Sequence, residues 1–415
     1  MSSSKPDSKK RNLIIAVLLS FAVSLIYMYD FYHMVTPTGV ENSDTKIQIG
    51  YVLEWCDTGH LPVMCQAYPL YYIVIRGLHH FIDNWIAVIM VFCSMWSFVA
   101  NIVQIILIRD LLRNMEESRD GYNNDSGERY AVLAGTALSF AWPISLRYSF
   151  LFGYSLFGCP LEQVFLTSGA TALDHNLTYL FVKPFALLAV YLFYRILRKR
   201  DNEPVIGCYI ALAVTLFVSV IAKPNFYQAF APAGVIATLA YLKRRGMSAF
   251  PGCVMMALSF IPATAWVLYS MRTKLNPYAV SPFEGITIFS DGTPVIIVLI
   301  RAIAFCLFIS GCYIIYRRRD DLLELGWLIY LFGAGEFILF IEPAEPMTLS
   351  MSGGYNISMY ILFAMAIVAA WRLFITHRNR KMFIAGNTIL AVHAVFGVAV
   401  FIVTWIPWWK TWLGI

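Results

Sequence analysis

Residues 41–83 read ENSDTKIQIGYVLEWCDTGHLPVMCQAYPLYYIVIRGLHHFID, a long polar interruption near the start of a mostly apolar chain. Apolar stretches flank it at 12–34 and 85–108, and each passes the roughly 20 residues needed to cross a bilayer. Inside the interruption, Ser43 or Asp44 is placed to cap a helix over 45–57. Ile47, Tyr51 and Trp55 would share one stripe of that helix, and Gly59 would end it. After Tyr68-Pro69, the segment 70–83 sets Arg76, His79, His80 and Asp83 on one face. Leu70, Val74, Ile75, Leu78, Phe81 and Ile82 take the other. Such a helix lies in a membrane interface. A loop of short helices held at a membrane surface is therefore expected, rather than a separate soluble domain.

Composition agrees. The 415 residues are 59% hydrophobic, 16% aromatic and 13% charged, where a soluble domain carries roughly 25% charged residues. The expected fold is all-α, a polytopic membrane protein with about eleven transmembrane helices. The spans are 12–34, 85–108, 130–148, 176–197, 206–222, 226–242, 248–270, 293–316, 322–342, 357–376 and 383–405. The first is too long for a signal-peptide core and lacks a small-residue cleavage site after it, so it is expected to stay as an anchor. The chain reads as one integral membrane domain over 1–415, with 35–84 as its long first extracytoplasmic loop.

Sidedness follows from the basic residues. Of 31 lysines and arginines, 21 fall in segments 1–11, 109–129, 195–201, 243–245, 317–319 and 378–381, which eleven spans put on one side. That side is read as cytoplasmic and holds the N-terminus. The C-terminus, with its Trp405, Trp408 and Trp409 belt, is placed outside, in the cell (inner) membrane. The long connections 35–84, 149–175, 271–292 and 343–356 share the outer side, where function is expected. Topology is testable by cysteine labelling. In a background without the outer native cysteines, a cysteine at 285 or 350 should react with a membrane-impermeant reagent, and one at 122 should not. Labelling at 122 alone would overturn the arrangement.

The order acidic residue, small helix, Pro-Leu-Tyr-Tyr junction and interfacial helix over 41–83 resembles the first outer loop of the GT-C superfamily. These are multi-spanning glycosyltransferases that use polyprenyl-phosphate sugars. Elsewhere the likeness rests on span number, long outer loops and the pairs Lys183-Pro184 and Lys223-Pro224. The resemblance implies a hexosyl- or pentosyltransferase. Its donor would be a polyprenyl-phosphate sugar and its acceptor a lipid-linked or cell-envelope glycan. Asp44 occupies the position of the family's general base, which takes the proton of the incoming hydroxyl; a plain helix cap is its structural alternative. Glu41, Glu54 and Asp57 are its alternates, and Glu54, on the same helix, is the second catalytic candidate. Lys183, Lys223 and Arg147 are candidates for the donor phosphate, with snorkelling as the plain role of the lysines. His60, Tyr71, Asp174 and His175 are candidates for sugar or acceptor. The family often carries an acidic pair where one Asp stands here, so the resemblance makes no cofactor certain and leaves a divalent cation open.

Other features read as structural. Arg301 is expected to pair with Glu336, and His393 to pack or bond within the bundle. The glycines of Ser352-Gly353-Gly354-Tyr355-Asn356 serve a turn or a close backbone approach. The eight cysteines show no metal spacing, and a Cys56–Cys65 bridge is left open. No P-loop, Gly-x-Ser-x-Gly elbow or His-Glu-x-x-His is present. The net charge of +6 is an orientation signal with no nucleic-acid footprint. Two alternatives stand beside the transferase: a lipid or solute transporter or flippase, and an O-antigen polymerase or ligase-like enzyme. The second usually has its largest outer loop late in the chain, whereas here the largest comes first.

Overall fold

The computed structural model describes residues 6–35, 44–116, 124–141, 176–198, 206–274, 281–282, 295–341, 352–377 and 379–405. Fourteen α-helices of the described residues carry the architecture. They are α1 Pro6–Val35, α2 Asp44–Thr58, α3 Leu70–His79, α4 Trp85–Glu116, α5 Asn124–Leu138, α6 Leu177–Leu197, α7 Ile206–Ala222, α8 Asn225–Arg245, α9 Phe250–Thr273, α10 Val295–Ala302, α11 Ala304–Ile315, α12 Asp321–Leu339, α13 Ser352–His377 and α14 Arg380–Trp405. The only strands described are a two-residue antiparallel bridge, with Ser281 opposite Ile341 and Pro282 opposite Phe340.

This is an integral membrane protein. Among the described residues, seven apolar runs are long enough to cross a bilayer: Lys10–Tyr32, Trp85–Arg113, Leu177–Leu197, Asn225–Thr273, Asp321–Leu339, Gly353–His377 and Arg380–Val398. The fourth run is 49 residues long and contains both α8 and α9, joined by a 3-10 turn at Gly246–Ala249. Ile206–Ala222 and Ala304–Ile315 are shorter apolar helices. A backbone in lipid must satisfy its own hydrogen bonds, which is why apolar sequence of this kind becomes helix almost without exception.

The bundle has a basic end and a polar-loop end. At the basic end Arg11 pairs with Asp125 at 3.7 Å, while Arg244 and Arg198 reach Asp321 at 2.9 and 3.9 Å. The Lys/Arg-rich segments thus converge in space. At the other end Lys274 Nζ donates to Gln66 Oε1 at 2.6 Å and Trp266 Nε1 to Ala67 O at 2.9 Å. These bonds fasten the turn Val63–Ala67 to the end of α9.

Between the ends, α1, α4, α5 and α13 are stitched by a buried polar network. Gln104 Nε2 donates to Asn101 Oδ1 at 2.6 Å and to Ser139 Oγ at 2.6 Å. Asn101 Nδ2 donates to Ser20 Oγ at 2.8 Å, and Tyr360 Oη to Gln104 Oε1 at 2.9 Å. Interhelical bonds of this kind replace the hydrophobic drive that lipid removes.

Several local expectations are corrected. Helix α3 stops at His79, short of the expected 83, so Phe81 lies beyond it, 84% exposed instead of on an apolar face. Its inward residues are Tyr71, Tyr72 and Ile75. In α2 the inward stripe is Thr45, Gln48 and Val52, while Ile47 is 56% exposed. Gly59 does end α2, at φ +75° with its N–H bonded to Trp55 O at 3.0 Å. The expected span 293–316 divides at Ile303 into α10 and α11. His393 is buried there and accepts the Phe305 N–H at 3.3 Å through Nε2, replacing a helical bond at the break. Cys56 and Cys65 are unbridged. Burial pushes the Cys65 thiol up to about 11, which keeps it protonated and inert.

Candidate functional site

Asp44 opens α2 and faces the start of α6. Asn176 caps α6 by accepting the Thr178 N–H at 3.0 Å through Oδ1, and the same oxygen takes Gln48 Nε2 at 2.8 Å. That fixes the amide orientation and turns Nδ2 toward Asp44 Oδ2, at 2.8 Å. Asp44 is thereby held by a side chain whose own geometry is locked, and one carboxylate oxygen is engaged.

Two ammonium groups lie at the same end. Lys223, in the short link between α7 and α8, is 8% exposed, with Nζ 4.4 Å from the Tyr179 ring centre and 5.3 Å from that of Tyr68. Asp44 acts electrostatically on Tyr68, whose hydroxyl is raised well above its ordinary range, chiefly by burial and also by Cys65, Tyr51 and Asp44. Asn176, which holds Asp44, and Tyr179, which faces Lys223, lie one turn apart at the start of α6, so base candidate and cation are gathered at one helix start. Lys183 is 4% exposed in the second turn of α6, its Nζ 4.9 Å from the Tyr360 ring centre. Pro184 follows inside the helix and leaves the Leu180 carbonyl without its usual in-helix donor. Buried cations against aromatic faces are attracted by the ring quadrupole, and charge at such depth marks a functional candidate.

The start of α13 closes the cluster. A Cβ at position 353 would collide with the Tyr179 hydroxyl and the Asn225 amide, and one at 354 with Glu336 Oε2. The two glycines therefore serve close approach within a helix, not a turn. No partner among the described residues reaches Glu336 Oε2, although that atom is shut away from solvent.

The other candidates disperse. Glu54 is exposed on α2, ten residues or about 15 Å of helix from Asp44. His60 is exposed beyond the end of α2. Tyr71 is buried among Tyr72, Phe92 and Phe181, at ring distances of 5.2, 5.4 and 6.3 Å, with its hydroxyl beside Cys93 and unpartnered among the described residues. Arg147, Asp174, His175 and the Arg301 side chain, with its expected pairing to Glu336, lie outside the described residues. Among the described residues no three His, Cys, Asp or Glu side chains gather for a metal ion. A cavity of about 20 Å³ between Tyr316, His377 and Met382 sits at the basic end, with room for a water and no more.

Sequence reasoning missed Asp30, a carboxylate only 1% exposed within α1 and close to Cys93. An ionisable residue inside a span was signal enough. Gln48 and the capping role of Asn176 were also missed, because their value depends on a contact 128 residues apart in sequence. Comparison with protein-family models, with curated proteins and with solved structures finds no match to this chain.

Proposed function

We propose that the chain is a GT-C-like membrane glycosyltransferase of about eleven spans. It would move a sugar from a polyprenyl-phosphate donor to a lipid-linked or envelope acceptor at the outer face of the cell membrane. The observation that carries the reading is that the start of α6 holds Asp44 through Asn176 and, one turn on, faces Lys223 through Tyr179. In this reading Asp44 takes the acceptor proton as the glycosidic bond to phosphate breaks. The departing phosphate gathers negative charge, which Lys223 and Lys183 offset. Glu54, too far along α2 to share that proton transfer, is not assigned a step.

The donor site is tested by Lys183→Ala and Lys223→Ala. Each should lose about 1.5–3 kcal/mol of donor binding, the range of a charge-assisted contact, while the protein stays folded in the membrane. Binding of a short-chain polyprenyl phosphate to purified variants measures it, and unchanged affinity in both would remove the site. A transporter or flippase is the second reading, favoured by the buried charges at Asp30, Lys183 and Glu336. Release of free polyprenyl phosphate from a glycosylated donor in detergent, where no gradient exists, separates the two. Transport alone releases none.

A further inference from the structure

Asn356 is a buried amide on α13. It is 1% exposed, and neither Oδ1 nor Nδ2 has a hydrogen-bond partner among the described residues. Leaving both ends of a buried amide empty is costly, so such a group signals a missing ligand or water. Its place on α13 narrows the choice. Residues three and four apart share a helix face, which puts Asn356 between Gly353 and Tyr360. Gly353 abuts Tyr179 and Asn225, and Tyr360 faces Lys183. On α6, Tyr179 and Lys183 are likewise one turn apart. Asn356 therefore stands at a level between the two lysines that flank this seam.

We propose that the Asn356 amide recognises a sugar hydroxyl of the donor whose phosphate lies at Lys183 and Lys223. This inference rests on the donor reading above and deepens it. The chemistry discriminates between the two halves of such a donor. A phosphate oxygen satisfies Nδ2 but repels Oδ1, because both carry lone pairs. A hydroxyl accepts from Nδ2 and donates to Oδ1, and adjacent hydroxyls on a ring do both at once. A site that hydrogen-bonds a hydroxyl also rejects the analogue that lacks it, since its own groups are then left empty.

The test compares full-length protein in detergent binding citronellyl phosphodiesters of equal charge, whose second ester group is either methyl (the bare phosphate) or glucose, mannose, galactose or a pentose. The parent should bind one glycosylated form at least roughly 10-fold more tightly than the bare phosphate. Asn356→Leu, of similar shape, should erase that difference and leave bare-phosphate affinity within about twofold. Its melting temperature should stay level or rise, because an unfilled amide has been replaced by an apolar group. Asn356→Ala should show the same loss of discrimination if the leucine variant does not fold. Lys183→Ala should weaken bare and glycosylated phosphates alike. If both Asn356 variants keep the full preference for the glycosylated form, Asn356 holds only a water and the inference is overturned, with the donor site intact. If the parent prefers none of the glycosylated forms, the donor reading itself falls.

Discussion

Asp44→Asn should fold and purify like the parent yet transfer sugar about 10²–10⁴-fold more slowly, the usual contribution of a positioned general base. The contact with Asn176 explains why the change is clean. Asn176 Nδ2 donates to Asp44 Oδ2 at 2.8 Å, and an asparagine at 44 can present its carbonyl oxygen to the same donor. Asn also serves helix starts about as well as Asp, so α2 keeps its first turn. What disappears is the second carboxylate oxygen, replaced by an NH₂ that cannot take a proton. Asp57→Asn, exposed near the far end of α2, should remain close to the parent rate. Full activity in Asp44→Asn would reduce Asp44 to a helix-start residue. Among the described residues the search for a base would then turn to Asp30 and Glu336, both placed in the bundle.

The helices were readable because lipid admits few alternatives: a long apolar run must be helical, and basic loops must gather at one end. Orientation of side chains was another matter. The amphipathic pattern over 70–83 overran the real end at His79. There His79 stacks on Trp85 at 3.7 Å and its Nδ1 approaches Ile82 O at 3.1 Å, turning the chain out of the helix. Asp44 and both lysines could be nominated from residue type and depth, yet their relation to Tyr68, Tyr179 and Tyr360 could not. Tyrosines spread over 68–360 share no local pattern. The glycines at 353 and 354 were equally ambiguous, since close approach depends on which side chains arrive from α6, α8 and α12. Ion pairing shows the same limit. A pair between Arg301 and Glu336 was the natural guess from two charges in neighbouring spans. The buried pair among the described residues is Arg372 with Asp320, one of them just outside a span.

Asp320→Ala should destabilise the protein by about 3–5 kcal/mol, the cost of leaving one partner of a buried ion pair alone. Asp320 and Arg372 are 6% and 7% exposed, and Arg372 Nη1 donates to both carboxylate oxygens at 3.1 and 2.9 Å. Asp320 also caps α12, accepting the Leu322 and Leu323 N–H groups at 3.0 and 2.9 Å. Alanine removes both functions at once. Asp320→Asn keeps a cap but loses the charge, so it should fall between alanine and the parent. Asp321→Ala gives the contrast. That neighbour is 39% exposed against Arg244, and screened pairs of this kind contribute about 0–1 kcal/mol. Melting temperatures in one detergent rank the three variants. An Asp320→Ala protein melting with the Asp321→Ala protein would show that the pair does not hold the bundle. The combined change Asp320→Asn with Arg372→Met separates two roles, because it leaves no buried charge alone yet keeps a side-chain oxygen for the α12 cap. Helices α12 and α13 carry Glu336, Gly353 and Asn356 at their other ends. If the double variant regains stability and donor binding together, the ion pair acts only by holding those two helices in register.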